Sequence, residues 1–143
     1  MPSRYKSRQT ALQMLYLRDM RGEALPELFS SYYGSLASED AEPVPERDPF
    51  AEELVEGATQ KQEEIDRLIE QHSQNWRIGR MATVDRNILR LAAYELIALQ
   101  TPGPVVIDQA IELATRFSAP ESFGFLNGVL DAITRAVRGT TTS

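Results

Sequence analysis

Residues 80–100, RMATVDRNILRLAAYELIALQ, constrain this chain more than any other stretch. Placed on a helix at about 100° per residue, Val84, Ile88, Leu89, Leu91, Ala92, Leu96 and Leu99 cover more than half of its circumference. A surface helix carries a much narrower apolar stripe, so this one must be surrounded by other elements. Its remaining polar residues, Arg86, Asn87, Arg90 and Tyr94, form one strip that is expected to face water or a partner. Glu95 falls inside the apolar arc, between Leu91 and Ile88. A buried carboxylate must be paired or hydrogen-bonded, which predicts helix-terminal N–H groups or an arginine beside it.

The rest of the chain reads as helices that could do the surrounding. Tyr5 to Met20 carries Ala11, Leu12, Leu15 and Tyr16 on one arc, and Gly22 is placed to end it. Arg4 and Arg8 lie on the same angular line as Ala11 and Leu15, so they are expected to project past the end of the bundle. A second helix is predicted over Glu27 to Leu36, with Leu28, Phe29, Tyr32, Tyr33 and Leu36 in the core. Residues 37–49 are acidic and proline-rich, an exposed loop by composition. Asp48 followed by Pro49 is a helix start, and helical spacing then continues through Leu54, Val55, Ala58, Ile65 and Ile69 to about Gln71. The acidic residues of that stretch read as its solvated face.

The TPGP of residues 101–104 breaks the chain before an apolar helix to Phe117. Ser118 and Glu121 have the spacing of a capping box, and a last helix is predicted to start there. Phe123, Leu126, Leu130, Ile133 and Val137 form its core stripe. Gly124, Asn127, Gly128, Asp131 and Arg135 lie opposite, and the glycines leave backbone open to close approach. Phe125 sits at the margin, able to pack inside or to stack on a base. No strand alternation appears, so the expected fold is all-α, a compact bundle of six to seven helices. Its 143 residues suit one domain, residues 1–138, followed by a polar tail, 139–143.

Composition removes several functions. The chain has no cysteine and a single histidine, His72, so neither thiolate chemistry nor a cysteine-bearing metal site is available. Phosphate-loop, metal-ligand and nucleophile-turn spacings are missing, so neither enzyme activity nor a cofactor or metal is expected. No segment has the roughly 20 apolar residues of a membrane span, and a cytoplasmic setting fits. His72 reads as structural, and Trp76, the only tryptophan, as a wedge against the core.

Charge is unevenly placed despite the net value of −6. Residues 1–22 hold five basic groups against one acidic, residues 23–72 three against fourteen, and residues 73–143 seven against six. A basic end can meet phosphate while an acidic middle keeps the chain soluble. Arg4, Lys6 and Arg8, with Tyr5 for stacking, are therefore a candidate phosphate-binding patch, against the alternative of a solvated terminus.

Three motif groups, taken together, resemble one family. They are Arg8, Ala11, Gln13, Leu15 and Tyr16; then Asn75-Trp76, Arg80, Val84-Asp85-Arg86, Ile88-Leu89-Arg90, Ala92 and Tyr94-Glu95-Leu96; and finally IDQAIELA from Ile107 with FLNGVLD from Phe125. The chain is similar to the transcription antitermination factor NusB family. The resemblance implies a helical protein of two subbundles that binds boxA RNA of ribosomal RNA transcripts. It would do so with the small-subunit ribosomal protein NusE, within the antitermination complex of RNA polymerase. Carried over residue by residue, it implies RNA contacts at Arg4, Lys6, Arg8, Glu121, Ser122, Phe125 and Asn127. It also implies a protein-partner face at Tyr16 and Asp85, to which the polar strip adds Arg86. Tyr5, Gly124 and Gln109 depart from the family pattern, the first two in ways that remove cations, which predicts weak RNA binding without NusE. Two other readings are the non-catalytic RNA-binding domain of an rRNA cytosine methyltransferase and a homodimeric interaction module that hides the arginines.

Overall fold

The computed structural model describes residues 2–36, 46–74 and 76–139. Among the described residues the order is seven α-helices and two 3₁₀ turns: α1 (Arg4–Arg21), α2 (Leu25–Leu36), α3 (Pro49–Gln60), α4 (Gln62–Gln71), a turn at Ile78–Arg80, α5 (Thr83–Ala98), α6 (Gly103–Phe117), a turn at Pro120–Ser122, and α7 (Phe123–Arg138). The predicted acidic loop at residues 37–45 and the tail beyond Gly139 lie outside the described residues.

Local chemistry sets the ends of these helices. The Ser3 hydroxyl accepts the Lys6 N–H at the start of α1, and Gly22, at φ 70°, closes its end in the left-handed region that favours glycine. Asp48 accepts the Ala51 N–H and Pro49 opens α3, as its sequence predicts. The single helix expected from Pro49 to Gln71 is instead two. Lys61, at φ −101° and ψ 14°, separates them. The break lets each half keep its apolar face on a different neighbour: α3 lies on α1 and α5, whereas α4 lies on α5 and α7.

Helix α5 is the axis of the molecule, packed by α1, α3, α4, α6 and α7. One subbundle, α1 to α3, covers one side, and α4, α6 and α7 cover the other. Ile88, Leu89, Leu91, Ala92 and Leu96 are buried, as their wide arc requires. The predicted open strip is not open, however. Asn87, Arg90 and Tyr94 are buried, and Arg86 is half-buried. Asp19 of α1 accepts from Arg86 Nε at 2.7 Å, from Asn87 Nδ2 at 3.0 Å and from Arg90 Nη1 at 3.2 Å. Asp66 of α4 receives the other side of the Arg90 guanidinium at 2.9 and 3.0 Å. The Tyr94 ring lies against Gly57 of α3 so closely that a Cβ there would sit 2.0 Å from Tyr94 Cζ. Acidic partners on other helices thus turn a solvated face into an internal one. Asp66 is correspondingly no part of a solvated face.

The edges of the core differ from expectation in three further places. Leu36 and Val137 are exposed, each being in the last turns of its helix. Trp76 is 54% exposed and forms no wedge. His72 is structural: its Nδ1 donates to the Leu68 carbonyl at 2.9 Å as α4 ends.

Asp19 links this packing to pH. Burial opposes its charge, but hydrogen bonds from Arg86 and Asn87 and the charges of Arg86 and Arg90 outweigh that and hold its carboxyl below the ordinary value of 3.8. A depressed native pKa stabilises the fold fully above the unfolded value, and that stability is lost as pH falls through the native value. Asp19→Asn should therefore flatten the acid limb of stability below about pH 4, read as urea midpoints across a pH series. An acid limb as steep as that of the parent chain would remove Asp19 as its source.

Candidate nucleic-acid and partner interface

Glu95 finds its predicted partner in Arg8. Arg8 Nε donates to Glu95 Oε2 at 2.7 Å and Nη2 to Oε1 at 2.9 Å, a bidentate pair whose side chains are 6% and 2% exposed. Thr101 Oγ1 donates to the same carboxylate at 3.2 Å, and the remaining Arg8 nitrogen reaches Gln109 Oε1 at 3.4 Å. Arg8 therefore does not project past the bundle. Its place on the Ala11–Leu15 line points it inward, where Glu95 supplies the charge that makes burial tolerable. As a phosphate contact it is corrected: its donors are committed within the fold.

The other N-terminal cations divide similarly. Arg18 donates to Gln62 and Arg21 to Glu23, which leaves Arg4 and Lys6 exposed at the start of α1. The Arg4 guanidinium lies 3.8 Å from the centre of the Phe50 ring, a cation–π arrangement that orients it while its N–H groups stay open to water or phosphate. Tyr5 packs partly against the core.

The second RNA candidate group sits at the other end of α5. Asp85, in the first turn of α5, is buried and accepts from both Ser118 Oγ and Ser122 Oγ. The predicted capping box between Ser118 and Glu121 does not form. The Ser118 hydroxyl is held by Asp85, and a 3₁₀ turn at Pro120–Ser122 precedes α7. Glu121, Gly124, Asn127 and Gly128 are exposed, and Phe125 is half-buried, packing one side on the core while lining a groove with the other. From Asp85 to Glu95 is ten residues of helix, or about 15 Å at 1.5 Å per residue. The two RNA candidate groups are thus not brought together, and one strand touching both must run along the bundle.

Of the predicted partner residues, Tyr16 is 37% exposed and rims an apolar pocket of about 390 Å³ with Leu12, Leu17, Tyr32, Val84 and Phe117. Asp85 is buried, and each of its carboxylate oxygens accepts one serine hydroxyl, from Ser118 and from Ser122. Arg86 faces Asp19. Sequence reasoning missed Arg138, whose guanidinium donates to the carbonyls of Glu95, Leu96, Leu99 and Thr101. Arginine near a helix end was its one signal.

Together these features define a class: an all-helical binding module, locked by internal ion pairs around one central helix, with cations and an aromatic edge at opposite ends. The profile of the NusB family matches residues 5–135. The transcription antitermination protein NusB of Solibacter usitatus (strain Ellin6076) is 48% identical over 135 residues, which cover 94% of this chain and 90% of that protein. Among solved structures, T. maritima NusB superposes with a TM-score of 0.78 at 31% identity, covering 94% of this chain and 92% of that one. A chain from the crystal structure of antitermination factors NusB and NusE in complex with dsRNA gives a TM-score of 0.77 at 34% identity, covering 94% and 99%. This chain belongs to the NusB family.

Proposed function

We propose that this chain is a non-enzymatic RNA-binding antitermination adaptor. It binds boxA RNA of ribosomal RNA transcripts together with NusE and helps cytoplasmic RNA polymerase read through terminators. The observation that carries this reading is its likeness, over 94% of its length, to a NusB solved with NusE and RNA. Relatives matched over nearly their whole length carry the antitermination name, which favours the adaptor over a methyltransferase RNA-binding domain. The surface supports the same division of labour. Arg4 and Lys6 attract phosphate, Phe125 with Glu121, Ser122 and Asn127 meets unpaired bases, and the pocket beside Tyr16 receives the apolar part of the protein partner. With Arg8 removed from the phosphate contacts, RNA affinity of the isolated chain is weak, and NusE raises it through coupling that must be reciprocal.

Fluorescence anisotropy of single-stranded boxA RNA against a scrambled RNA, with and without NusE at two salt concentrations, tests this. Selective binding that NusE strengthens is the expected result, and Phe125→Ala should weaken it by roughly tenfold, the scale of one missing base–aromatic stack. Coincident boxA and scrambled curves with NusE present would overturn the adaptor reading. Light scattering that shows a dimer dissociating only on RNA addition would instead favour a homodimer masking the basic end.

A further inference from the structure

We propose that Trp76, Arg77 and Arg80 form a second RNA-binding element. It takes an unpaired base into the groove between Trp76 and Phe125 and the flanking phosphates on the two guanidiniums. This rests on the RNA-adaptor reading and extends the RNA path to residues outside the site described above.

Among the described residues, Trp76 is the largest aromatic surface the fold leaves in water, and its backbone is held in place. Its N–H donates to the Ser73 carbonyl at 3.1 Å, and its own carbonyl accepts from Ser73 Oγ at 3.0 Å. Ile78 and Met81, both buried, anchor the chain just beyond it. The Ile78 N–H donates to Glu70 Oε2 at 2.9 Å, a further tie on the same segment. The indole is therefore presented by a backbone that folding has already ordered.

Across from it, α7 supplies Phe125 and an open floor. A Cβ added at Gly124 or Gly128 would meet nothing within 4 Å, so a flat ring can approach the helix. The groove holds about 410 Å³, within the roughly 300–1,000 Å³ of sites that take small aromatic ligands. Beside it, Trp76, Arg77 and Arg80 line a second hollow of about 520 Å³. Both arginines are exposed. Among the described residues neither makes an ion pair, whereas Arg8, Arg21, Arg47, Arg86, Arg90 and Arg135 all do. Unpaired cations flanking an exposed aromatic are what a single strand requires: phosphate attraction plus a π-face that any unstacked base can use. A protein partner would have to bring its own carboxylates to the two guanidiniums, whereas a nucleic-acid strand carries a phosphate at every residue.

The chain has one tryptophan, so Trp76 emission reports on this site alone. Titrating the isolated protein with single-stranded boxA RNA should quench that emission along the isotherm that anisotropy follows. With NusE present, Trp76→Ala should weaken binding by roughly tenfold, and Trp76→Phe should keep most of the affinity. Arg77→Gln with Arg80→Gln should reduce the slope of log affinity against log salt by about 0.7 for each phosphate no longer neutralised. RNA binding that saturates without changing Trp76 emission, and that Trp76→Ala leaves intact, overturns this element and leaves the adaptor reading standing. No RNA binding by the parent chain with NusE overturns both. The quenching measurement uses the unaltered protein, so it decides the question even if a variant does not fold.

Discussion

Arg8→Ala should lower the stability of the chain by about 3–5 kcal/mol, the usual loss when one member of a buried ion pair is removed. The reason is what remains behind. Glu95 is 1% exposed, and without the guanidinium it keeps only the Thr101 hydroxyl within the apolar arc of α5. Urea unfolding measures the effect directly. A loss below about 1 kcal/mol, the scale of an exposed pair, would show that water reaches the carboxylate. Arg8→Met combined with Glu95→Leu should recover most of the loss, because the pair's attraction is largely offset by the desolvation of both charges. The same variant separates two roles for Arg8. A phosphate contact would lose RNA affinity and leave stability intact, whereas the geometry predicts lower stability, with RNA affinity changing only as the folded fraction does.

How much of this could be read from the sequence depended on whether one helix contained the information. Gly22, Asp48-Pro49 and the TPGP break are local signals, and each marks a helix end in the structure. The width of the apolar arc on α5 required a surrounded helix, and the position of Glu95 required a partner. Periodicity could not say that the partner was Arg8, because that residue arrives from 87 positions away. For the same reason the strip Arg86, Asn87, Arg90 looked solvated: it is polar along α5, and only tertiary packing brings Asp19 and Asp66 against it. The Ser118–Glu121 spacing was a genuine local option, but a 3₁₀ turn at Pro120–Ser122 delays the start of α7 to Phe123, and the Ser118 hydroxyl donates to Asp85 instead of capping a helix. Lys61 interrupts a pattern whose apolar spacing continues across it, so no periodic reading could have found the break between α3 and α4.

The buried Arg8–Glu95 pair also lowers the number of cations that the basic N-terminus offers at the surface. Of the five basic groups in residues 1–22, Arg8 is buried against Glu95 and Arg21 is paired at the surface with Glu23, while Arg18 donates to the neutral Gln62 and keeps its charge. Charge counted along the sequence overstates charge available at the surface. Arg77 and Arg80, in a segment with no unusual charge density, are exposed and make no ion pair among the described residues, so the electrostatic footprint includes the α4–α5 connection as well as Arg4 and Lys6 at the end of the chain.

Arg138→Ala should cost about 2–4 kcal/mol, because one guanidinium satisfies the Leu96, Leu99 and Thr101 carbonyls, left open at the end of α5 and in the turn to α6, and adds a second donor to the Glu95 carbonyl, which also accepts the Leu99 N–H. Those carbonyls belong to Glu95, Leu96, Leu99 and Thr101, so the last residue of α7 fixes the backbone of the carboxylate that Arg8 pairs with and of the threonine that supports it. Arg138→Lys should restore only part of the stability. An ammonium keeps the charge against the helix dipole but cannot reach four acceptors in the plane a guanidinium spans. Chemical unfolding of the three proteins gives the order parent, lysine, alanine if the fork geometry matters. Equal stabilities for lysine and arginine would reduce the contribution to charge alone. The exposed RNA candidates Glu121 and Asn127 and the Trp76 groove lie toward the opposite end of α7, so each variant should bind boxA RNA with NusE like the parent under conditions where it is fully folded. A loss of affinity there would mean that the clamp at Arg138 also sets the pose of α7 against its RNA.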